Sequence, residues 1–265
     1  MASILTNLFD GVAYGMLLFV LACGLAVTLG LMNFVNLAHG AFAMTGGYVC
    51  AVLVNQYGWP FFSALPLAFV ASGAIGAALE RTLYRHLYAR SHLDQVLFSI
   101  GLAFMSVAAV NYIMGSSRIF IKLPEALQGQ FDLFGVGIGR YRLMIVVICG
   151  LLTVLLQFVL AKTRFGSRLR AAVDDPRAAS GLGINVPQVF AFTFAFGCGL
   201  AGLGGALSAE ILGLDPYFPL KFMIYFLIVV TVGGSSSITG PFLASLLLGI
   251  GDVAGKYYVP KICLL

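Results

Sequence analysis

Residues 11–79 read GVAYGMLLFVLACGLAVTLGLMNFVNLAHGAFAMTGGYVCAVLVNQYGWPFFSALPLAFVASGAIGAAL and include no Asp, Glu, Lys or Arg. His39 is the only side chain in the stretch able to carry a charge. At a rise of about 1.5 Å per residue the run amounts to roughly 100 Å of helix, or about three crossings of a hydrocarbon layer about 30 Å thick. A core helix of a water-soluble protein is much shorter. The same message recurs at Gln95 to Ser117, Leu143 to Ala161, Ala178 to Ala209 and Phe222 to Gly251, each free of formal charge and long enough to span at least once. Over all 265 residues 60% are hydrophobic and 9% charged, where a soluble domain carries about a quarter charged. So few charges cannot cover a water-exposed surface.

Backbone groups in lipid must be satisfied within the chain, and the absence of regular apolar/polar alternation favours helices over an outer-membrane barrel. The predicted fold class is all-α, a polytopic integral membrane protein with about eight transmembrane helices. They are expected near residues 6–31, 37–56, 61–82, 94–114, 142–161, 187–209, 219–233 and 239–255, within one transmembrane domain over residues 1–265.

The formal net charge is +5, which in a membrane chain is an orientation signal and not a footprint for nucleic acid. Two short loops concentrate it. Glu80 to Asp94 holds Arg81, Arg85 and Arg90, and Lys162 to Arg177 holds Lys162, Arg164, Arg168, Arg170 and Arg177. Two predicted helices separate these loops, so both fall on one face, expected to be cytoplasmic. The loop from Gly115 to Tyr141 and the N-terminus are expected outside. MASILTNLFD lacks a basic region before its apolar run, so the first span is expected to be retained and not cleaved as a signal peptide. The five cysteines, Cys23, Cys50, Cys149, Cys198 and Cys263, show no C-x-x-C spacing and are expected to be small apolar residues.

Three segments stand out. In KTRFGSRLRAAVDDPRAASGLGINVPQ (Lys162 to Gln188), Asp175 followed by Pro176 is an N-cap followed by a favoured first helical residue, with Gly181 and Gly183 as stop signals. A short helix is expected there, either a docking element for another surface or an ordinary basic connector. In LMNFVNLAHGAFAMTGGY (Leu31 to Tyr48), Asn33, Asn36, His39 and Thr45 accompany Gly40, Gly46 and Gly47. Polar groups unpaired in hydrocarbon are costly, so these face either a path or neighbouring helices. In the C-terminal third, Ala201 and Gly205 have the four-residue spacing of close helix crossings. TVGGSSSITGP (Thr231 to Pro241) is either a gate or a turn between two apolar arms.

Absences narrow the chemistry. The sequence has no G-x-x-x-x-G-K-[ST], and its nearest fragment, Gly251 to Lys256, has the wrong glycine spacing and Tyr257 after the lysine. No ligand cluster for a metal, no activated nucleophile and no cofactor motif is visible. Carboxylates sit near predicted helix ends, whereas proton-driven carriers commonly hold acidic relays inside the membrane. Energy is therefore expected to come from another chain, and this one is expected not to be an enzyme.

GLMNFVNLAHGAFAMTGGY (30–48), FGSRLRAAVDDPRAASGLGINV (165–186), GLAGLGGALSA (199–209) and PYFPLKFMIYFLIVVTVGGSSSITGP (216–241) together resemble the branched-chain amino acid ABC importer permeases of the LivH type. The resemblance implies a bacterial inner-membrane, multi-pass subunit forming the translocation path for branched-chain amino acids or a related small polar solute. It implies as partners a second, LivM-like permease, two cytoplasmic ABC ATPases, an extracytoplasmic solute-binding protein and the lipid bilayer. It also implies that residues 162–188 couple to an ATPase, with Gly166, Arg170, Ala171, Asp175, Ala178, Gly181 and Ile184 carried over. By a looser transfer, Asn33, Asn36, His39 and Gly46 line the path. Family members usually continue beyond the region of Gly255 into a last helix and a basic tail, so a truncated or altered C-terminus is expected. The competing classes are a self-sufficient channel or ion-coupled carrier for a small neutral solute such as urea or ammonium, and a membrane scaffold with no path.

Overall fold

The computed structural model describes residues 2–32, 34, 36–88, 90–133, 136–234 and 238–258. The helices are α1 (Ala2–Met32), α2 (His39–Asn55), α3 (Phe61–Thr82), α4 (His92–Met114), α5 (Arg140–Lys162), α6 (Arg164–Asp174), α7 (Pro176–Gly181), α8 (Val186–Ser208), α9 (Phe218–Gly233) and α10 (Thr239–Tyr258). Every one of the eight helices expected from the charge-free runs is present, with ends displaced by a few residues. Among the described residues five are long and apolar enough to cross a membrane: Ile4–Leu29 within α1, then α3, α4, α5 and α8.

The loop between α4 and α5 departs from an all-helical reading in one place. Strands β1 (Gln130–Leu133) and β2 (Val136–Gly139) form an antiparallel hairpin with Gln130 opposite Gly139 and Leu133 opposite Val136. Its backbone pairs within itself at the end of the bundle, where water is available, so it does not contradict the helical rule for the membrane interior.

α8 lies at the centre, packed against α1, α2 and α3, while α10 runs along α1. Close approach explains the choice of residues on α8. A methyl group on Gly46 would overlap the backbone of Gly202, and one on Gly205 would overlap the Ala43 carbonyl. Between lipid-embedded helices there is little hydrophobic drive, so association rests on such backbone contact and on polar bridges. Ser72 Oγ donates to the Phe42 carbonyl at 3.1 Å, and the Tyr141 hydroxyl donates to the Leu207 carbonyl at 2.7 Å.

The two ends of the bundle differ in chemistry. α3 and α8 meet where the loop after α3 and the α6–α7 segment emerge, so both basic loops share one end. The opposite end holds the hairpin, an Arg142–Asp10 ion pair, and Asp215 paired with Lys221 at 2.5 Å and Arg118 at 3.9 Å. There the 115–123 segment is pinned to the chain after α8 by the Ile119–Leu214 bridge. α9 ends at Gly233 and α10 begins at Thr239 on the basic end; residues 235–237 of the expected gate or turn, and Cys263 with the rest of the C-terminal segment, lie outside the described residues.

Candidate functional site: a two-helix platform and a polar elbow

The segment between α5 and α8 holds two helices where the sequence reading expected one. Thr163 Oγ1 accepts from the Gly166 amide at 3.4 Å and caps α6, which turns Gly166, Leu169 and Ala172 inward at three-residue intervals. The four arginines between residues 164 and 177 drew attention to charge and away from this spacing. Gly166 is needed for the turn: a methyl group would overlap the Leu160 carbonyl at the end of α5. Arg170 reaches back to the same carbonyl, donating from Nη1 at 2.5 Å.

α7 is built as its sequence indicates. Asp175 Oδ1 accepts from the Arg177 amide at 2.9 Å and the Ala178 amide at 3.0 Å, with Pro176 at the first helical position. α7 ends at Gly181, and Gly183 takes a left-handed φ of +83°, a conformation that favours glycine. Asn185 then caps α8 by accepting from the Gln188 amide at 3.1 Å.

These caps fold the segment onto the start of α8. Ala172, Ala179 and Val186 form a small buried cluster, with Ala171, Ile184, Val189 and Phe190 packed around it. The other surface is open. Arg164, Arg168, Arg177, Ala178 and Gly181 are exposed, and Leu182 is 82% exposed. The seven residues expected on the coupling loop thus divide by position. Gly166, Ala171 and Ile184 are inner packing, Arg170 and Asp175 fix the turns, and Ala178 and Gly181 belong to the open face.

The second group sits where α1 gives way to α2. Asn36 is fully buried; its Oδ1 accepts from the Tyr84 hydroxyl at 3.1 Å and from the Ala38 amide at 3.1 Å. Its Nδ2 meets no acceptor among the described residues. His39 is 1% exposed, with Nε2 3.0 Å from the Leu21 carbonyl of α1. Gly46 lies in the α2–α8 crossing, and Asn33 lies outside the described residues.

Tyr84, which the sequence reading passed over, is the hub of this elbow. Its ring lies among Phe34, Phe98 and Phe194, and burial pushes its phenol pKa well up, so the hydroxyl keeps its proton and can donate to Asn36. An aromatic residue in a short basic loop gave no periodic signal by which to find it. Among the described residues no group of three His, Cys, Asp or Glu side chains comes together as a metal site, and Cys23, Cys50, Cys149 and Cys198 are free and buried.

Known proteins resemble this chain in sequence. The chain is 28% identical over 270 residues, covering 96% of it and 87% of the relative, to the high-affinity branched-chain amino acid transport system permease protein LivH of Escherichia coli. It is 29% identical over 266 residues, covering 95% and 86%, to the corresponding permease protein BraD of Pseudomonas aeruginosa. Similarity extends to LivM of Escherichia coli, at 27% over 257 residues, covering 88% of this chain and 60% of that one. No solved structure matches significantly. The family described as branched-chain amino acid transport system, permease component, matches residues 7–262, and the chain belongs to it.

Proposed function

We propose that this chain is the non-hydrolysing permease subunit of a binding-protein-dependent ABC importer in the bacterial inner membrane, moving branched-chain amino acids or a related small polar solute. Its partners in this reading are a second, LivM-like permease, two cytoplasmic ATPases that supply energy, and an extracytoplasmic protein that delivers the solute. The observation that carries the coupling claim is the α6–α7 platform: capped at each helix start, packed on α8 behind, and open in front. A compact element held this way can pass a push from a docked ATPase into the central helix. The basic end then faces the cytoplasm, in keeping with the excess of Lys and Arg in its loops.

The test uses Ala178→Trp, Gly181→Trp and Arg170→Glu in the reconstituted transporter, with uptake and ATP hydrolysis measured in the same vesicles. Inserted protein is expected at normal levels, with uptake reduced and stimulation of hydrolysis by loaded binding protein abolished. Coupling free energies of about 1 to 3 kcal/mol correspond to roughly 5- to 150-fold. Normal uptake and stimulation in all three variants would make the platform a mere connector. Accumulation of solute by this chain without any ATPase would overturn the importer reading itself.

For Asn33, Asn36, His39 and Gly46 we propose a place beside the path, reached when the α1–α2 elbow opens. A second reading, that Asn36 and His39 only bridge helices, is favoured by the bonds to Tyr84 and to the Leu21 carbonyl. His39→Leu separates them. Loss of transport in an intact assembly supports the path, and loss of assembly supports the bridge.

A further inference from the structure

At the basic end a groove of about 970 Å³ opens between α3 and the start of α8, beside the platform. Its deeper wall is apolar, made by Ala77 on one side and by Phe190, Ala191 and Ala195 on the other. Its mouth is cationic, carrying Arg81, Arg85 and His86. From Val186 to Ala195 the groove follows α8 for roughly 13 Å, close to the depth of one leaflet of a hydrocarbon layer about 30 Å thick. Both walls belong to helices long and apolar enough to span a membrane. The mouth therefore falls at the level of lipid headgroups and the deeper wall at the level of their acyl chains.

The charge balance at the mouth favours an anion. All three basic residues are exposed, and no ion pair among the described residues engages them. The one acid in the groove, Glu80, is 3% exposed and already accepts from the Tyr88 hydroxyl at 3.2 Å. Guanidinium groups pair with phosphate oxygens in a planar, bidentate way, and basic pockets between membrane helices are suited to anionic lipid heads.

We propose that the α3–α8 groove is a site for one anionic phospholipid, its phosphate held by Arg81 and Arg85 with His86 beside them, and an acyl chain laid along Phe190, Ala191 and Ala195. Val186 and Phe190 line this groove and also belong to the cluster that seats α6 and α7. A lipid bound here braces the start of α8 on the face adjoining the platform.

The experiment takes the full permease and ATPase complex, purified in mild detergent, and measures binding of labelled phosphatidylglycerol and of labelled phosphatidylcholine. The wild type is expected to prefer phosphatidylglycerol. Arg81→Gln with Arg85→Gln should weaken that binding by about 25-fold, at roughly fivefold per cationic side chain. Ala191→Trp, which leaves the charges in place and fills the apolar wall, should weaken it as well. If the double variant fails to assemble, Ala191→Trp decides alone. Equal binding of the two lipids, unchanged binding in the assembled variants, or full displacement by inorganic phosphate would overturn the proposal. So would a cysteine at Gln188 that cross-links quantitatively to another protein chain, because the groove would then be covered by protein.

Discussion

α5 and α8 are both 23-residue apolar helices, yet 22% of the most apolar stretch of α5 is buried against 61% of that of α8. α5 shows the outside large side chains such as Val147, Leu151 and Phe158, each more than half exposed, and its Gly150 has open space around it. α8 turns inward Gly197, Gly202, Gly205 and Ala201. In water the bulkier apolar helix would be the buried one. In lipid the ranking is reversed, because bulky side chains lose nothing by facing acyl chains while small ones let backbones touch. Between these two helices burial follows smallness, although bulky rings such as Phe19 and Phe34 elsewhere in the bundle and Phe194 on α8 itself are buried.

The largest effect that could break this comparison is steric. Gly205→Leu must push α8 away from Ala43, and overpacking of this kind costs typically about 1 to 3 kcal/mol and occasionally more. Its folded yield in membranes should fall several-fold and its unfolding temperature should drop clearly. Gly150→Leu on α5 should change neither. Equal losses in the two variants would mean that the exposed side of α5 is packed against protein.

A smaller effect separates the two kinds of glycine in the platform. Gly166→Ala should displace α6 from the end of α5 and cost about 1 to 3 kcal/mol, read as faster proteolysis of the 162–186 segment. Gly181→Ala meets open space and should leave the segment as resistant as the wild type, or slightly more so. Identical digestion of both variants would remove Gly166 from its packing role.

The smallest effect concerns polar bridges. His39→Ala removes a contact between α1 and α2, and interhelical bonds in membranes average about 0.6 kcal/mol. Thr231→Ala removes only bonds to the preceding turn of its own helix, from Thr231 Oγ1 to the Leu227 carbonyl at 2.7 Å and to the Ile228 carbonyl at 3.4 Å. Unfolding in mixed micelles should show a shift for the first and none for the second. A shift of several kcal/mol for His39→Ala would mark it as an anchor of the elbow.

The sequence disclosed its long helices because long runs without charge have no other stable state in lipid. It disclosed α7 through Asp175 and Pro176, since a cap and a first-turn proline act within a few residues. It disclosed less where partners are distant. The spacing of Ala201 and Gly205 announced a close crossing, but nothing local said that Ala43 would be across from Gly205. α6 was hidden because its arginines satisfy the orientation rule and form a helix equally well; Thr163 with Gly166, Leu169 and Ala172 was the signal available. Tyr84 was hidden for a different reason. Its role depends on Asn36, which is 48 positions away, and on three rings from other elements.

One property of α8 bears on how a machine could use it. The helix is held at its start by the platform cluster and farther along by bare backbone at Gly24 and Ala43 and by side chains such as Phe69 and Ser72 set against Gly199 and Gly202. Side chains set into holes resist rotation, because each must climb out of its socket before a helix can turn. At its glycine positions α8 has no teeth of its own, so small sliding or turning motions of the shear kind meet resistance there only from the side chains of its neighbours.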